Sequence, residues 1–159
     1  MNIIICGIGN LKEKFFRQAS EEYLKRLSRF GKIQIVELKE EYLSQQPFKK
    51  EIEIALRKEA VAILQRFEKN YLIALDIGGE SFSSEYLSKK LEKYDMEGIK
   101  PVFLIGSSYG LHSDVKAKCI ERWSFSKMTF PHQLMRVILL VNHCWLSSPK
   151  SRQFHHLCF

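Results

Sequence analysis

The chain has 159 residues, 45% of them hydrophobic, with a formal net charge of +7; that suffices for one compact domain with an ordinary core and leaves little room for two. No window approaches the roughly 18 apolar residues a membrane span needs. The apolar run Ile3 to Ile8 passes at once into charged Lys12 to Arg17, which argues against a signal peptide and leads us to expect a cytoplasmic protein.

The cysteines Cys6, Cys119, Cys144 and Cys158 form no CxxC pair, so reduced thiols and no metal site are expected. Glu121 is the last acidic residue, and Arg122, Lys127, Arg136, Lys150 and Arg152 follow it without an offsetting acid. A basic end of this kind favours a polyanionic partner, because phosphate contacts release counterions.

Along the chain, Asn2 to Ile8 reads as a short buried strand stopped by Gly7 and Gly9. Leu11 to about Phe30 has helical spacing, with Phe16, Tyr23 and Leu27 on one face. Ile33 to Leu38 reads as a second strand, Glu40 to Pro47 as a polar link, and Phe48 to about Phe67 as a second amphipathic helix. A third strand, Tyr71 to Ile77, leads into a Gly78-Gly79 turn. Ser83 is placed to cap a helix running to Tyr94, with Glu85 in its first turn. Pro101 to Ile105 is a fourth strand, followed by the loop Gly106 to Gly110 and a short helix from Ser113 to Arg122. A brief strand, Trp123 to Ser126, precedes a final helix starting near His132. Strands alternating with helices at these spacings indicate one α/β domain with a mainly parallel sheet.

Three segments are candidates for chemistry. Gly7-Ile8-Gly9 follows a strand but lacks the third glycine of a dinucleotide fingerprint, position 12 being lysine, and Glu37 lies within the second strand rather than at its end; NAD and FAD are excluded. Asp76 closes the third strand, where α/β sheets gather ligands, and fits a ribose or cation contact as well as a plain capped turn. The loop Gly106 to Gly110 and the segment Phe125 to His132 each follow a strand end. Together they fit a flat adenine and a sulfonium, and they equally fit loop glycines beside core phenylalanines.

The motifs Leu75–Gly79, Leu104–Leu111, Ser124–Gln133 and Met135–Val137, with the opening Gly9-Asn10-Leu11-Lys12, resemble in order the RlmH family of SPOUT methyltransferases. The resemblance covers about the first 140 residues, and Ser-Phe-Ser-Lys-Met-Thr-Phe-Pro-His-Gln is its most specific part. It implies an α/β fold whose mainly parallel sheet is flanked by helices and carries a C-terminal deep trefoil knot. It implies a homodimer, S-adenosylmethionine as cofactor, and methylation of N3 of a pseudouridine in 23S ribosomal RNA of the large subunit. By the same carry-over, the cofactor contacts fall on Leu75, Gly106, Phe125, Ser126, Lys127, Met128, Thr129 and Phe130. No metal is implied.

Two departures from the family pattern stand out. Gly106-Ser107 replaces a pair of glycines, which is tolerable if Ser107 keeps a negative φ. After Leu140 the family's Glu-Gln, Tyr-Arg-Ala and terminal Tyr-His give way to an unrelated stretch ending His155-His156-Leu157-Cys158-Phe159, so residues 141–159 read as a divergent or frame-shifted tail. His155 is the candidate general base through its match to the terminal Tyr-His. His132 is expected to pack or cap, and Lys127 and Arg136 to meet phosphate or the cofactor's carboxylate. Val137, Ile138, Leu139 and Leu140 are candidates for the dimer interface. Two competing functions are a non-catalytic fold-mate that binds cofactor or ribosome, and a methyltransferase acting on tRNA.

Overall fold

The computed structural model describes residues 2–146, with side chains through residue 142. In chain order the elements are β1 (Asn2–Ile8), α1 (Lys14–Leu27), β2 (Lys32–Leu38), α2 (Lys49–Phe67), β3 (Tyr71–Ser81), α3 (Ser84–Met96), β4 (Pro101–Ile105), α4 (Ser113–Lys118), β5 (Glu121–Ser124) and α5 (His132–Leu146). The strands form one five-stranded parallel sheet in the order β2-β1-β4-β3-β5.

Both faces of the sheet are covered, as a wholly parallel sheet requires. The period of two along β4 makes this visible: Phe103 and Ile105 belong to one apolar cluster, Val102 and Leu104 to the other. The first cluster takes in Leu27 of α1, Leu87 and Leu91 of α3, and Leu139 and Leu140 of α5. The second takes in Ala60, Ile63 and Phe67 of α2 and Val115 of α4. Leu139 and Leu140 are fully buried and Val137 nearly so. Of the four residues read as an interface candidate, these three therefore serve the core of the single chain.

Element boundaries differ from the sequence reading where side chains or the sheet capture the backbone. α1 begins at Lys14 rather than Leu11, because the Leu11 N–H donates to Glu37 Oε1 (3.1 Å) and the Lys12 N–H to Gln133 Oε1 (2.9 Å). α4 ends at Lys118, since the Ile120 N–H already donates to the Leu72 carbonyl (2.9 Å) and feeds β5 into the sheet. β5 then closes at Ser124, whose hydroxyl donates to the Ser126 carbonyl (2.9 Å) while Ser126 Oγ accepts from the Met128 N–H (3.0 Å). The Ser83 cap is present, accepting from the Tyr86 N–H at 3.3 Å.

Two glycine assignments are corrected. Gly78-Gly79 is no turn but part of β3, which bulges away from β5 after the Leu75–Trp123 pair and rejoins it at Glu80. A Cβ on Gly79 would stand 2.6 Å from the backbone carbon of Arg122, so only glycine lets the two strands close there. Gly7 likewise does not stop β1; it pairs with Glu37 on one side and Ile105 on the other.

Candidate functional site

A cavity of about 370 Å³ opens at the carboxyl ends of β4 and β5 and the point where β3 bulges after Leu75, so that Asp76, read as closing the third strand, stands within it. Its walls include Leu75, Gly106, Phe125, Ser126, Met128, Thr129 and Phe130, so the structure brings together all but one of the expected contact residues. The exception is Lys127, which is exposed and does not line the cavity. Ile77, Tyr109 and Met135, within the motifs but not among the expected contacts, also contribute, as does Lys116, which lies outside every motif. Lys116 sits on the helix after the glycine loop, and nothing in its spacing marks it.

The loop following β4 is tightly built. A Cβ on Gly106 would overlap the carbonyl of Gly110 and lie 2.9 Å from its Cα, so glycine is required by the loop's own backbone. Gly110 donates its N–H to the Ser107 carbonyl (2.9 Å), closing the turn. No residue other than glycine has positive φ among the described residues, so Ser107 meets the condition its substitution for glycine imposes. Its buried hydroxyl donates to Glu59 Oε2 (3.1 Å), and Glu59 Oε1 accepts from the Glu41 N–H (3.1 Å). Burial pushes the Glu59 carboxyl above the ordinary range, against the lowering effect of those two hydrogen bonds. A second tie to α2 follows at once: buried His112 caps α4, accepting the Asp114 N–H at Nδ1 (3.1 Å), and its Nε2 lies 2.9 Å from Glu53 Oε1. The loop is thus anchored from beneath through Glu53 and Glu59.

The polar end of the cavity is charge-paired. Lys116 Nζ lies 3.1 Å from Asp76 Oδ1, and Arg122 Nη1 lies 3.8 Å from Oδ2. His132, at the start of α5, is half-buried in the wall. Burial pushes its imidazole below the usual range, with Arg136 and Lys12 adding to the effect and Glu40 opposing it. The neutral form is therefore favoured near pH 7.

Arg136, expected to meet phosphate or a cofactor carboxylate, is used inside the fold instead. It is fully buried and meets no solvent-borne anion. Its Nη2 donates to the carbonyls of Ile8 (2.6 Å) and Gly9 (2.7 Å), and its Nη1 to Glu37 Oε1 (2.8 Å). It bolts α5 to the end of β1. The basic residues that do face solvent near the cavity are Arg122 and Lys127. Of the cysteines, Cys6 and Cys119 are free, and burial pushes their thiols up to about 12 and about 11. Neither is poised as a nucleophile. His155, Cys158, Lys150 and Arg152 lie outside the described residues, as do the side chains from residue 143 onward.

At the amino ends of β3 and β5, Glu121 gathers four donors: the hydroxyls of Tyr71 (2.6 Å) and Tyr94, the indole N–H of Trp123 (3.0 Å) and the ammonium of Lys90. Burial alone would raise this carboxyl, but the four donors outweigh it and hold it at about 2.

A parallel sheet whose strand ends carry a glycine-closed loop, an aromatic loop and an apolar cavity has the arrangement in which α/β proteins hold nucleotide-type ligands. A family model described as "Predicted SPOUT methyltransferase" matches residues 1–141. The protein named ribosomal RNA large subunit methyltransferase H of Clostridium novyi (strain NT) is 46% identical over 142 residues, 88% of this chain and 89% of that one. Its namesake in Shouchella clausii (strain KSM-K16) is 43% identical over 141 residues, 87% of this chain and 89% of that one. The chain belongs to the SPOUT methyltransferase family, in the branch of ribosomal RNA large subunit methyltransferase H. The solved structure of a probable methylase family protein from Haemophilus influenzae Rd KW20 shares the fold at a TM-score of 0.54 and 10% identity, covering 99% of this chain and 71% of that one. Among the described residues no helix is long and apolar enough to cross a membrane.

Proposed function

We propose that this chain transfers a methyl group from S-adenosylmethionine to N3 of a pseudouridine in large-subunit ribosomal RNA. The observation that carries the proposal is the cavity at the ends of β3, β4 and β5, with Leu75, Gly106 and Phe125–Phe130 around it apart from Lys127. The names of the relatives at 43% and 46% identity support large-subunit ribosomal RNA as substrate, and the pseudouridine N3 is what the motif resemblance implies.

The residues present fit the cofactor. Leu75, Ile105, Leu111, Phe125, Phe130 and Met135 form an apolar slot for a flat ring, and the Asp76–Lys116 pair offers both charges to a ribose or an amino-acid end. When bound, the cofactor supplies an electrophilic methyl group on a sulfonium. The chain's part is to exclude water, align the acceptor and remove the N3 proton. Alignment accounts for several kcal/mol of the barrier, and a general base adds about 10²–10⁴-fold. His155 is the base suggested by the family terminus. Neutral His132 in the cavity wall is the second group able to take a proton.

The proposal includes one SPOUT domain over residues 1–159, a knot formed by the segments after β4 and β5, a cytoplasmic location and a homodimer. Sedimentation should give twice the chain mass; a concentration-independent monomer would contradict the dimer. Mass spectrometry of 23S ribosomal RNA from cells with and without the gene tests the activity. Loss of one methyl group from a pseudouridine is expected, and identical spectra would refute transfer. A second reading, a cofactor-binding fold-mate that transfers nothing, is favoured by one fact: the family match ends at residue 141.

A further inference from the structure

We infer that the carboxyl edge of the sheet is a docking face for single-stranded RNA lying to either side of the acceptor nucleotide, with exposed aromatic rings as stacking platforms and lysines as phosphate contacts. The methyl-transfer reading above supplies only RNA as the polyanion. In a wholly parallel sheet every connection leaves its strand at the same edge, here the edge where the cavity opens. Five aromatic residues are exposed among the described residues: Phe15, Tyr42, Phe48, Tyr86 and Tyr109. Each lies between the carboxyl end of a strand and the first turn of the helix that follows it. Phe15 is 60% and Tyr42 92% exposed, while the exposed Met96 and Ile120, at the opposite edge, are aliphatic. Packing within one chain gives no reason for rings to gather at one edge and face water, and such gathering marks an interaction surface.

Cations are interleaved with these rings. Lys12 and Lys14 flank the start of α1, and the Lys12 N–H bond to Gln133 Oε1 (2.9 Å) fastens that start beside His132 of the cavity wall. Lys127 stands exposed between Ser126 and Met128, which line the cavity. Among the described residues Lys12, Lys14 and Lys127 form no ion pair, whereas Lys90 and Lys116 do. Around the connections after β1 and β2, Glu41 is paired with Lys58, and Glu13 and Glu40 are outnumbered by Lys12, Lys14 and Lys39. Rings and cations together select the form of the RNA. A duplex hides its base faces and is recognised by shape and backbone, whereas single-stranded bases offer their faces to aromatic side chains. From β2 to β5 the edge spans four strand spacings, roughly 19 Å, which accommodates a short run of nucleotides. A second copy of the chain is a poorer occupant, because lysine is depleted from protein–protein interfaces.

Fluorescence anisotropy of the full chain tests the face, with a labelled RNA of about 12 nucleotides, free or annealed to its complement, as the probe. At equal salt the free strand should bind at least about tenfold more tightly than the duplex. Phe15→Ser and Tyr42→Ser should each weaken binding of the free strand about fivefold or more, with duplex and cofactor affinities changed by less than about twofold. Lys14→Gln should reduce the slope of log affinity against log salt by about 0.7, and Lys100→Gln, at the opposite edge, should leave it unchanged. Equal affinity for the two forms of RNA, or full affinity in both aromatic variants, would overturn the docking face. A smaller sedimenting species in those variants would also overturn it, by making the face an interface between copies of the chain. None of these readouts depends on methyl transfer, so the docking face can fail while the methyltransferase reading stands. That reading fails separately, if 23S ribosomal RNA carries the same methyl groups with and without the gene.

Discussion

The guanidinium of Arg136 occupies the space a side chain at position 7 would need: a Cβ on Gly7 would lie 2.5 Å from Arg136 Cζ and 2.7 Å from Nη2. Glycine near the end of β1 and arginine in α5 are one feature seen from two places 129 positions apart in the chain. Gly7→Ala should overpack the site and cost about 1–3 kcal/mol. Arg136→Met should cost about 3–5 kcal/mol, because it strands Glu37 and two strand-end carbonyls. The double variant should cost clearly less than the sum, since the methyl group at position 7 then meets no guanidinium. Denaturant titration of the three variants checks this, and strict additivity would contradict the relationship.

Glu121 predicts an acid-labile brace. Its carboxyl is held at about 2, below the ordinary value of 4.5. The unfolded state therefore binds its proton first, so the stabilisation is complete above about 4.5 and fades as pH falls toward 2. Glu121→Ala should cost about 3–5 kcal/mol at pH 7 by leaving Lys90 and the two tyrosine hydroxyls unsatisfied. In Glu121→Gln the fall in stability between pH 5 and pH 2 should be shallower, as measured by thermal unfolding across that range.

Glu59 predicts the opposite slope. Its carboxyl is raised in the fold, so the folded state holds the proton more tightly than the unfolded one and the group's contribution weakens as pH rises past its ordinary value. Glu59→Gln keeps an acceptor for the Glu41 N–H and should raise stability at pH 8 by on the order of 1 kcal/mol, with little change at pH 4. Ser107→Gly removes the hydroxyl that reaches Glu59 and frees the loop. It should lower the temperature midpoint and weaken cofactor binding together, by calorimetry on the same sample.

Most of the sheet was legible in the sequence because five short apolar runs are set apart by polar helices, and a parallel sheet buried on both faces imposes that pattern. The cavity wall was legible through the Ser124–Gln133 motif. Arg136, Glu59 and Glu121 were not. Apart from the Glu121–Trp123 contact, each works by hydrogen bonds to partners 18 to 128 positions away, and no spacing rule encodes such pairs. Gly79 misled for a related reason: a glycine pair reads as a turn, while here it serves the close approach of β3 to β5.

The tail carries its own expectation. All the cofactor contacts expected from the family precede residue 141, where the family match ends. The chain should therefore bind cofactor and transfer methyl groups to ribosomes weakly. Replacing residues 141–159 with a terminus carrying Glu-Gln, Tyr-Arg-Ala and Tyr-His should raise the transfer rate more than about tenfold, equivalent to about 1.4 kcal/mol at the transition state. Equal rates, measured with radiolabelled cofactor, would show the natural tail to be fully functional.

The central claim is that the cavity over β3, β4 and β5 holds S-adenosylmethionine. Titration calorimetry of the purified chain and of Gly106→Val tests it most directly. One site per chain is predicted, with affinity reduced at least about tenfold in the variant because a side chain at position 106 drives the loop off the Gly110 carbonyl. No binding heat at millimolar cofactor from folded protein, or equal binding by the variant, would contradict it.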